Sequence, residues 1–515
     1  MLKEEFLKQK NLLLEKDRSE SFDWKVFKNR TLEEEFANSV LQENKAKDLE
    51  MFKKFTCTPF SAIHFSEVKK HIETKDSILL NAMKTLPKGI IHHCHIDALV
   101  DANWLIEKVI NSDTLYLKFI GDSSIDNLNT ADFQFFNKGI NDQQKEEGWL
   151  KVETVRQQYK KGKEAFDQWL YECFTIVPTN SKDIVYTENE LWSRFSRTFV
   201  SIRGIFSYVP FTKLYVEEII KRYSKKDLQQ VEIRIPYYEP YDDSGIVPFS
   251  EMFGELVKTI EETKKTLNLV DDDYFELKFI ISPVRNTKEE EMREIMEITI
   301  DLFKKYPKYV VGFDMVGHEH LMTLEAHLDS LLDFKDKQKK LGIDIPFYFH
   351  AGETTDSGSG TDENLFDALI LNTKRIGHGY SLSRHLPTLG PIIKEKEICL
   401  EISPISNQYL GLVKDIANHP IIVFLKNNIP VSISPDDPSL YGYEGSFYDF
   451  YMLFMSYENF DIWTLKQLCI NSIKYGSFTK EFSKENVLKI WEKKWQNWIK
   501  ELINNNKDII MTMTN

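Results

Sequence analysis

Residues 89–110 read GIIHHCHIDALVDANWLIEKVI, an apolar run from Gly89 to Asp97 followed at once by a helical stretch from Ala102 to Ile110. A strand that hands on directly to a helix is the repeating unit of parallel sheets, whose strands are covered on both faces and read as continuous apolar runs. Seven more such runs follow: Val231–Tyr238, Phe275–Arg285, Tyr309–Gly317, Pro346–Glu353, Arg375–Tyr380, Ile398–Pro404 and Ile429–Pro435. Helical periodicity fills the gaps, as in Met252–Leu267, Glu290–Lys305 and Glu363–Lys374. Eight strands alternating with helices predict an α/β fold, a closed (β/α)8 TIM barrel. An open doubly wound sheet is the alternative, but no G-x-G-x-x-G follows the first strand to support it.

Outward from the barrel, the texture changes. Residues 1–85 carry apolar residues (Leu2, Phe6, Leu13, Phe36, Val40, Phe52) among charges at roughly helical spacing, which predicts an N-terminal helical extension. The barrel domain then occupies 86–505. Within it, residues 111–185 break the strand–helix rhythm with polar Gly, Asn and Asp clusters (Gly121-Asp122-Ser123-Ser124, Gly139-Ile140-Asn141-Asp142), so this segment is an inserted subdomain or a functional loop. Near the end, Trp491, Trp495, Trp498 and Leu502 recur at helical spacing and read as a core face.

Composition excludes several classes. The chain has 515 residues, 42% hydrophobic and 28% charged, as in ordinary globular proteins. A formal net charge of −14 argues against a nucleic-acid or anionic-membrane binder, which needs a basic surface. No apolar run is long enough to cross a bilayer. The five cysteines are scattered, with no C-x-x-C pair for a zinc ribbon and no dense disulfide framework. Charges interrupt MLKEEFLKQKNLLLEKDRSE where a signal peptide needs an apolar core, so the sequence alone reads as cytoplasmic. One sequon, at Asn29, is the kind of match that chance supplies.

Four clusters carry chemistry. In the first strand, side-chain alternation puts His93, His95 and Asp97 on one face and His92, Cys94 and Ile96 on the other. Phe349-His350-Ala351-Gly352-Glu353 ends another run with an imidazole and a carboxylate three residues apart. In Arg375-Ile376-Gly377-His378-Gly379-Tyr380 a histidine stands between two glycines, which weaken a strand without filling space. Ser434-Pro435-Asp436-Asp437-Pro438 ends the last run with adjacent carboxylates. Each has a bland reading as a turn or a hydrogen-bonded histidine. Together they fall at the C-terminal ends of strands, where barrel active sites are built. Imidazoles plus a carboxylate suit a divalent metal such as zinc, leaving a second His, a Glu and an Asp for proton handling.

In this order the four motifs resemble the signature set of the adenosine deaminase family. Pro87-Lys88-Gly89, Gly312–Glu319, Ser403–Gln408 and Gln467–Tyr475 narrow the resemblance to the adenosine deaminase-related growth factor branch. The resemblance implies one Zn²⁺ held by His93, His95, His350 and Asp436. It implies that Glu353 protonates the purine N1, that His378 orients and deprotonates the attacking water, that Asp437 contacts N7, and that the Gly317 amide contacts N3. Asp97 would lie near the ribose, and Trp192 and Phe195 would line the nucleoside pocket. The implied reaction is hydrolysis of adenosine and 2′-deoxyadenosine to inosine, deoxyinosine and ammonia. The branch also implies a homodimer through the N-terminal helices, secretion, and a cell-surface receptor as a partner. Its members carry a signal peptide and a disulfide in the insertion, neither of which is readable here: residues 111–185 contain only Cys173. Position 284, where relatives can carry a histidine, is Val284. The competing expectations are an aminohydrolase of another adenine compound, and a growth-factor-like signalling ligand on a deaminase scaffold.

Overall fold

The eight expected runs form eight short parallel strands: β1 Gly89–His95, β2 Leu228–Ile235, β3 Glu276–Ile281, β4 Val310–Phe313, β5 His350–Ala351, β6 Arg375–His378, β7 Cys399–Ile402 and β8 Val431–Ile433. The computed structural model describes residues 3–178, 187–225, 228–269, 274–479 and 483–507. Strands β1 to β4 make one four-stranded sheet and β5 to β8 another. Parallel bridges join the two on both sides, Phe313 to Phe347 and Cys94 to Asp436. Backbone hydrogen bonds from Phe313 N to Pro346 O (2.9 Å) and from Asp436 N to His93 O (3.1 Å) make the same two closures. The ring therefore closes as a (β/α)8 barrel. At β5 the ladder shrinks to two residues.

The inside of the barrel departs from what apolar runs lead one to expect. Glu232, Arg234, Lys278, Asp314, Arg375 and Glu401 are all buried there, three cations matched by three carboxylates. Buried charge of this kind survives only when it is paired and hydrogen-bonded.

The segment after β1 contains an antiparallel sheet rather than loops alone. Leu115–Ile120 pairs with Thr130–Phe135, and Leu150–Lys151 adds a third strand. The alternation that builds it buries Leu115, Leu117, Ala131, Phe133 and Phe135, and the polar residues interleaved with them hide the pattern. Residues 179–185 of the expected insertion lie outside the described residues. The sheet docks on the helix Glu188–Ser207 so closely that a Cβ at Gly204 would stand 2.0 Å from Phe133 O.

Helices Lys3–Ser19, Trp24–Lys28, Leu32–Phe55, Phe65–Ile72 and Ile78–Thr85 occupy the N-terminal region. The third begins with a Thr31/Glu34 capping box and buries Ala37, Val40, Leu41 and Phe52. Phe36 is half-buried. The first helix buries no residue and exposes Phe6, Leu7, Leu12, Leu13 and Leu14. The C-terminal helix Lys484–Asn504 lies against this region with its tryptophan stripe inward. Each indole N–H finds an acceptor: Trp491 to Pro87 O (2.7 Å), Trp495 to Glu34 Oε1 (2.9 Å) and Trp498 to Ala82 O (3.2 Å). All five cysteines are free thiols.

Candidate active site

Strands β1, β5, β6 and β8 bring the four sequence clusters to one end of the barrel. His93 Nε2 and His95 Nε2 stand 3.3 and 3.1 Å from Asp436 Oδ1. The His350 ring lies 4.5 Å from that of His93 and 5.5 Å from that of His95. His378 Nε2 is 3.4 Å from Glu353 Oε1 and 3.9 Å from Asp436 Oδ2. Donor atoms of His93, His350, His378 and Asp436 all fall within 4.8 Å of one another, as do those of His95, Asp436 and Asp437.

Hydrogen bonds to the far side of each ring sort these imidazoles. His93 Nδ1 is 2.9 Å from Glu401 Oε2, and His350 Nδ1 is 2.6 Å from Asp314 Oδ2. A carboxylate accepts only, so both Nδ1 atoms carry a proton, and on the neutral ring, the form a metal ligand takes, each Nε2 is then left with its lone pair. Among the described residues His93 Nε2 has no hydrogen-bond partner. Lone pairs directed at the Asp436 carboxylate repel it unless a cation sits among them. The donor set thus fits a divalent metal, with Asp314 and Glu401 as the outer carboxylates that such histidines ordinarily require.

Beneath them lies the buried charge of the barrel. Arg234 donates to Asp314 Oδ2 (2.7 Å), Glu401 Oε2 (2.8 Å), His92 O (3.1 Å) and Tyr348 O (3.0 Å), reaching from one half-barrel to the other. Arg375 donates to Glu401 Oε1 and Glu232 Oε2, each at 2.5 Å. Burial by itself would raise the pKa of Asp314 and Glu401. For Asp314, His350 and Arg234 outweigh it; for Glu401, Arg234 and Arg375 do; both carboxylates stay ionised. Burial holds His350 down at about 3, so it is neutral, as a ligand must be. His92, on the other strand face, bonds Ser432 Oγ (2.9 Å) and is structural.

Two site residues adopt left-handed backbone without being glycine, His378 at φ 61° and Asp436 at φ 63°. Such conformations cost on the order of 1–3 kcal/mol each and cluster at functional sites. Gly377 meets a different need. A Cβ there would lie 2.9 Å from His93 Cε1 and 3.3 Å from His350 Cα, so only glycine leaves room for both.

A cavity of about 360 Å³ opens above the cluster. It is lined by His95, His350, Glu353, His378, Asp436 and Asp437 together with Asp97, Gly317, Trp192 and Phe195, so that every residue singled out in the sequence except His93 reaches it. His93 sits one layer deeper. Trp192 and Phe195 come from the Glu188–Ser207 helix, and Trp192 stacks on His318 at 4.3 Å. Among the described residues its indole N–H has no acceptor. Asp97 accepts from Tyr238 O–H (3.1 Å) through one oxygen and, among the described residues, has no donor at the other. Burial, and then the neighbouring Asp436 and Asp97 carboxylates, push the Asp437 pKa far up. Glu319 holds the turn that carries Glu353, accepting from the Gly352 and Glu353 amides at 3.1 and 2.7 Å. Val284 lines the cavity where a histidine was the alternative.

The sequence reading assigned no role to Asp314, Glu401, Arg234, Arg375, Tyr238, His318 or Asn407. One signal was available: Glu232 and Arg234 interrupt the apolar run Val231–Ile235, and Glu401 interrupts Cys399–Ile402. Charge inside a buried strand announces a partner, but not which one.

The adenosine deaminase family profile matches residues 175–493. Adenosine deaminase 2 of Homo sapiens is 33% identical over 475 residues, covering 91% of this chain and 89% of that protein. The chain belongs to the adenosine deaminase family. Adenosine deaminase 2 of Dictyostelium discoideum is 31% identical over 447 residues, covering 86% of this chain and 78% of that protein. Among solved structures, an Arabidopsis N6-mAMP deaminase superposes with a TM-score of 0.54 at 15% identity, covering 80% of this chain and 99% of that one. A Burkholderia ambifaria amidohydrolase solved with bound Zn does so with a TM-score of 0.52 at 15% identity, covering 83% and 95%. At such identities the structures support the deaminase fold alone.

Proposed function

We propose that the chain is a zinc-dependent adenosine aminohydrolase, converting adenosine and 2′-deoxyadenosine to inosine, deoxyinosine and ammonia. The observation that carries this reading is the meeting of His93, His95, His350 and Asp436, with the Nδ1 atoms of His93 and His350 held by Glu401 and Asp314, at the floor of a cavity that also holds Glu353 and His378. Bound there, Zn²⁺ would supply Lewis acidity, which brings the pKa of water from 15.7 down to about 7.

The protein's own groups do the rest. Displacing the C6 amino group breaks the purine's aromaticity and loads negative charge onto the ring. A proton given to N1 from Glu353 removes that charge as it develops, a contribution typically of ~10²–10⁴-fold. His378, 3.4 Å from Glu353 Oε1, is placed to orient the attacking water. Asp437 is buried beside Asp97 and Asp436, an arrangement that favours its protonated form, the form able to donate to a purine N7. The Gly317 amide serves N3. Asp97, supported by Tyr238, keeps one oxygen free for a ribose hydroxyl, and Trp192, Phe195 and Phe199 form an apolar wall against the base. The cavity's volume lies at the small end of ligand pockets, as a nucleoside requires.

The decisive experiment follows ultraviolet absorbance as purified protein meets adenosine, adenine or AMP, with and without chelator. The reading requires chelator-sensitive turnover of adenosine well above that of the other two; preference for adenine or AMP transfers the site to another adenine compound. The exposed apolar side chains of the Lys3–Ser19 helix, none of them buried among the described residues, support a homodimer through the N-terminal helices.

A further inference from the structure

His378 belongs to the same cluster of imidazoles as His93 and His350, yet what lies behind its ring is different. His93 and His350 face carboxylates. His378 Nδ1 faces the side-chain amide of Asn407, with Nδ2 at 3.3 Å. Asn407 in turn touches His419, whose Nε2 is 2.9 Å from Asn407 Oδ1. His419 ends on the backbone: the Ile421 N–H donates to its Nδ1 at 3.1 Å. All three side chains are buried.

The direction of every hydrogen bond in this row follows from its last member. A backbone N–H can only donate, so His419 Nδ1 accepts and carries no proton. Burial holds His419 neutral, its pKa down at about 3, so its single proton sits on Nε2. That proton points at Asn407, which must present its carbonyl oxygen there and its amide nitrogen to His378. An amide nitrogen donates, so His378 Nδ1 accepts, and the one proton of a neutral His378 is on Nε2. The polarity thus runs from the Ile421 amide through His419 and Asn407 into the active site.

We infer that Asn407 and His419 are positioning residues that lock His378 as the Nε2–H tautomer, the opposite of His93 and His350. His378 then stands beside the metal ligands without being one, and it meets the reacting water as a hydrogen-bond donor. The role of proton acceptor implied by resemblance would need a bare Nε2, which this chain of bonds denies to the resting state. Of the two tasks expected of His378, orienting the water comes first. The residues with which the lock is built come from two different elements: Asn407 from the helix Pro404–Tyr409, and His419 from the turn before the helix Ile421–Lys426.

The inference rests on the aminohydrolase reading only for its consequence in turnover, because the tautomer itself is observable without substrate. In zinc-loaded protein with ¹⁵N-labelled histidine, His378 should show a protonated Nε2 and an unprotonated Nδ1, assigned by loss of the signals in His378→Ala. The reverse pattern overturns the proposal. Asn407→Asp replaces the donor by an acceptor for both rings, which turns His378 round to Nδ1–H. It should lower kcat by roughly 100-fold, the scale on which one lost donor at a reacting centre is felt, while zinc content and KM stay near those of the parent. Unchanged kcat in a variant whose spectrum shows the reversed tautomer overturns the donor role. His419→Gln keeps an N–H aimed at Asn407 Oδ1 and should retain at least about tenfold more kcat than His419→Leu. Equal losses in both would mean that His419 only fills space, which also overturns the proposal. If Asn407→Asp does not fold, the spectrum of the parent protein decides.

Discussion

A close geometric demand on the metal cluster falls on a residue with no side chain, Gly377. In Gly377→Ala the new methyl would stand 2.9 Å from His93 Cε1 and 3.2 Å from His93 Nδ1. Comfortable carbon contacts begin near 3.5 Å, so something must yield by about 0.6 Å. The methyl has no retreat, because His350 Cα lies 3.3 Å away on the other side and belongs to the backbone of β5. The His93 ring must therefore move, and it is tied to Glu401 by a 2.9 Å hydrogen bond that fixes where its Nε2 points. Metal sites tolerate about 0.5 Å of misplacement, and losing an outer hydrogen bond costs ~10–100-fold in metal affinity. Gly377→Ala should accordingly bind zinc about 10–100-fold more weakly, or ~1.4–2.8 kcal/mol. Overpacking should also lower stability by about 1–3 kcal/mol. Competition against a graded series of chelators measures the first quantity and denaturant unfolding of metal-free protein the second. A folded Gly377→Ala protein that keeps parental zinc affinity would refute the argument that glycine is there to seat His93.

Other outcomes follow from the same geometry. Glu353→Gln keeps the size of the side chain but loses the transferable proton, so zinc should stay bound while kcat falls by ~10²–10⁴-fold; near-parental kcat removes Glu353 from the mechanism. Chelation should abolish turnover and zinc should restore it, and at a free zinc concentration 1,000 times Kd the metal should add about 4 kcal/mol to folding stability, visible as a rise in Tm; an unchanged Tm would mean that the cluster does not hold the ion. Trp495→Phe deprives buried Glu34 of its indole donor and should cost about 1–3 kcal/mol in urea unfolding, with no change in kcat. Replacing Leu12 and Leu13 by lysine should dissociate the proposed dimer in sedimentation analysis without affecting the barrel; persistence of the dimer would place its interface elsewhere.

The motifs near the ends of β1, β5, β6 and β8 were legible because local rules place them. Strand alternation set His93 and His95 on one face, and a run ending in His350-Ala351-Gly352-Glu353 could only leave those groups at a strand's edge. The antiparallel sheet of three strands after β1 was not legible, since its buried residues alternate with polar ones in a stretch full of turn signals. The charged interior of the barrel was half visible. Glu232, Arg234 and Glu401 stood out within apolar runs, but their partners lie on other strands, as with Arg234 and Asp314 or Glu401, 80 and 167 positions away.

Periodicity and spacing, being properties of neighbours along the chain, determined the eight strands, the helices between them, the N-terminal extension and the likeness of four motifs to a deaminase. Tertiary structure alone decided which proton sits on which ring nitrogen. His93, His350 and His378 are the same residue type in similar strand-end settings, and they differ only in what closure of the barrel puts behind them: Glu401, Asp314 and Asn407. A hydrogen bond reports the partner's chemistry, and those partners come from strands and turns that the chain reaches only by folding.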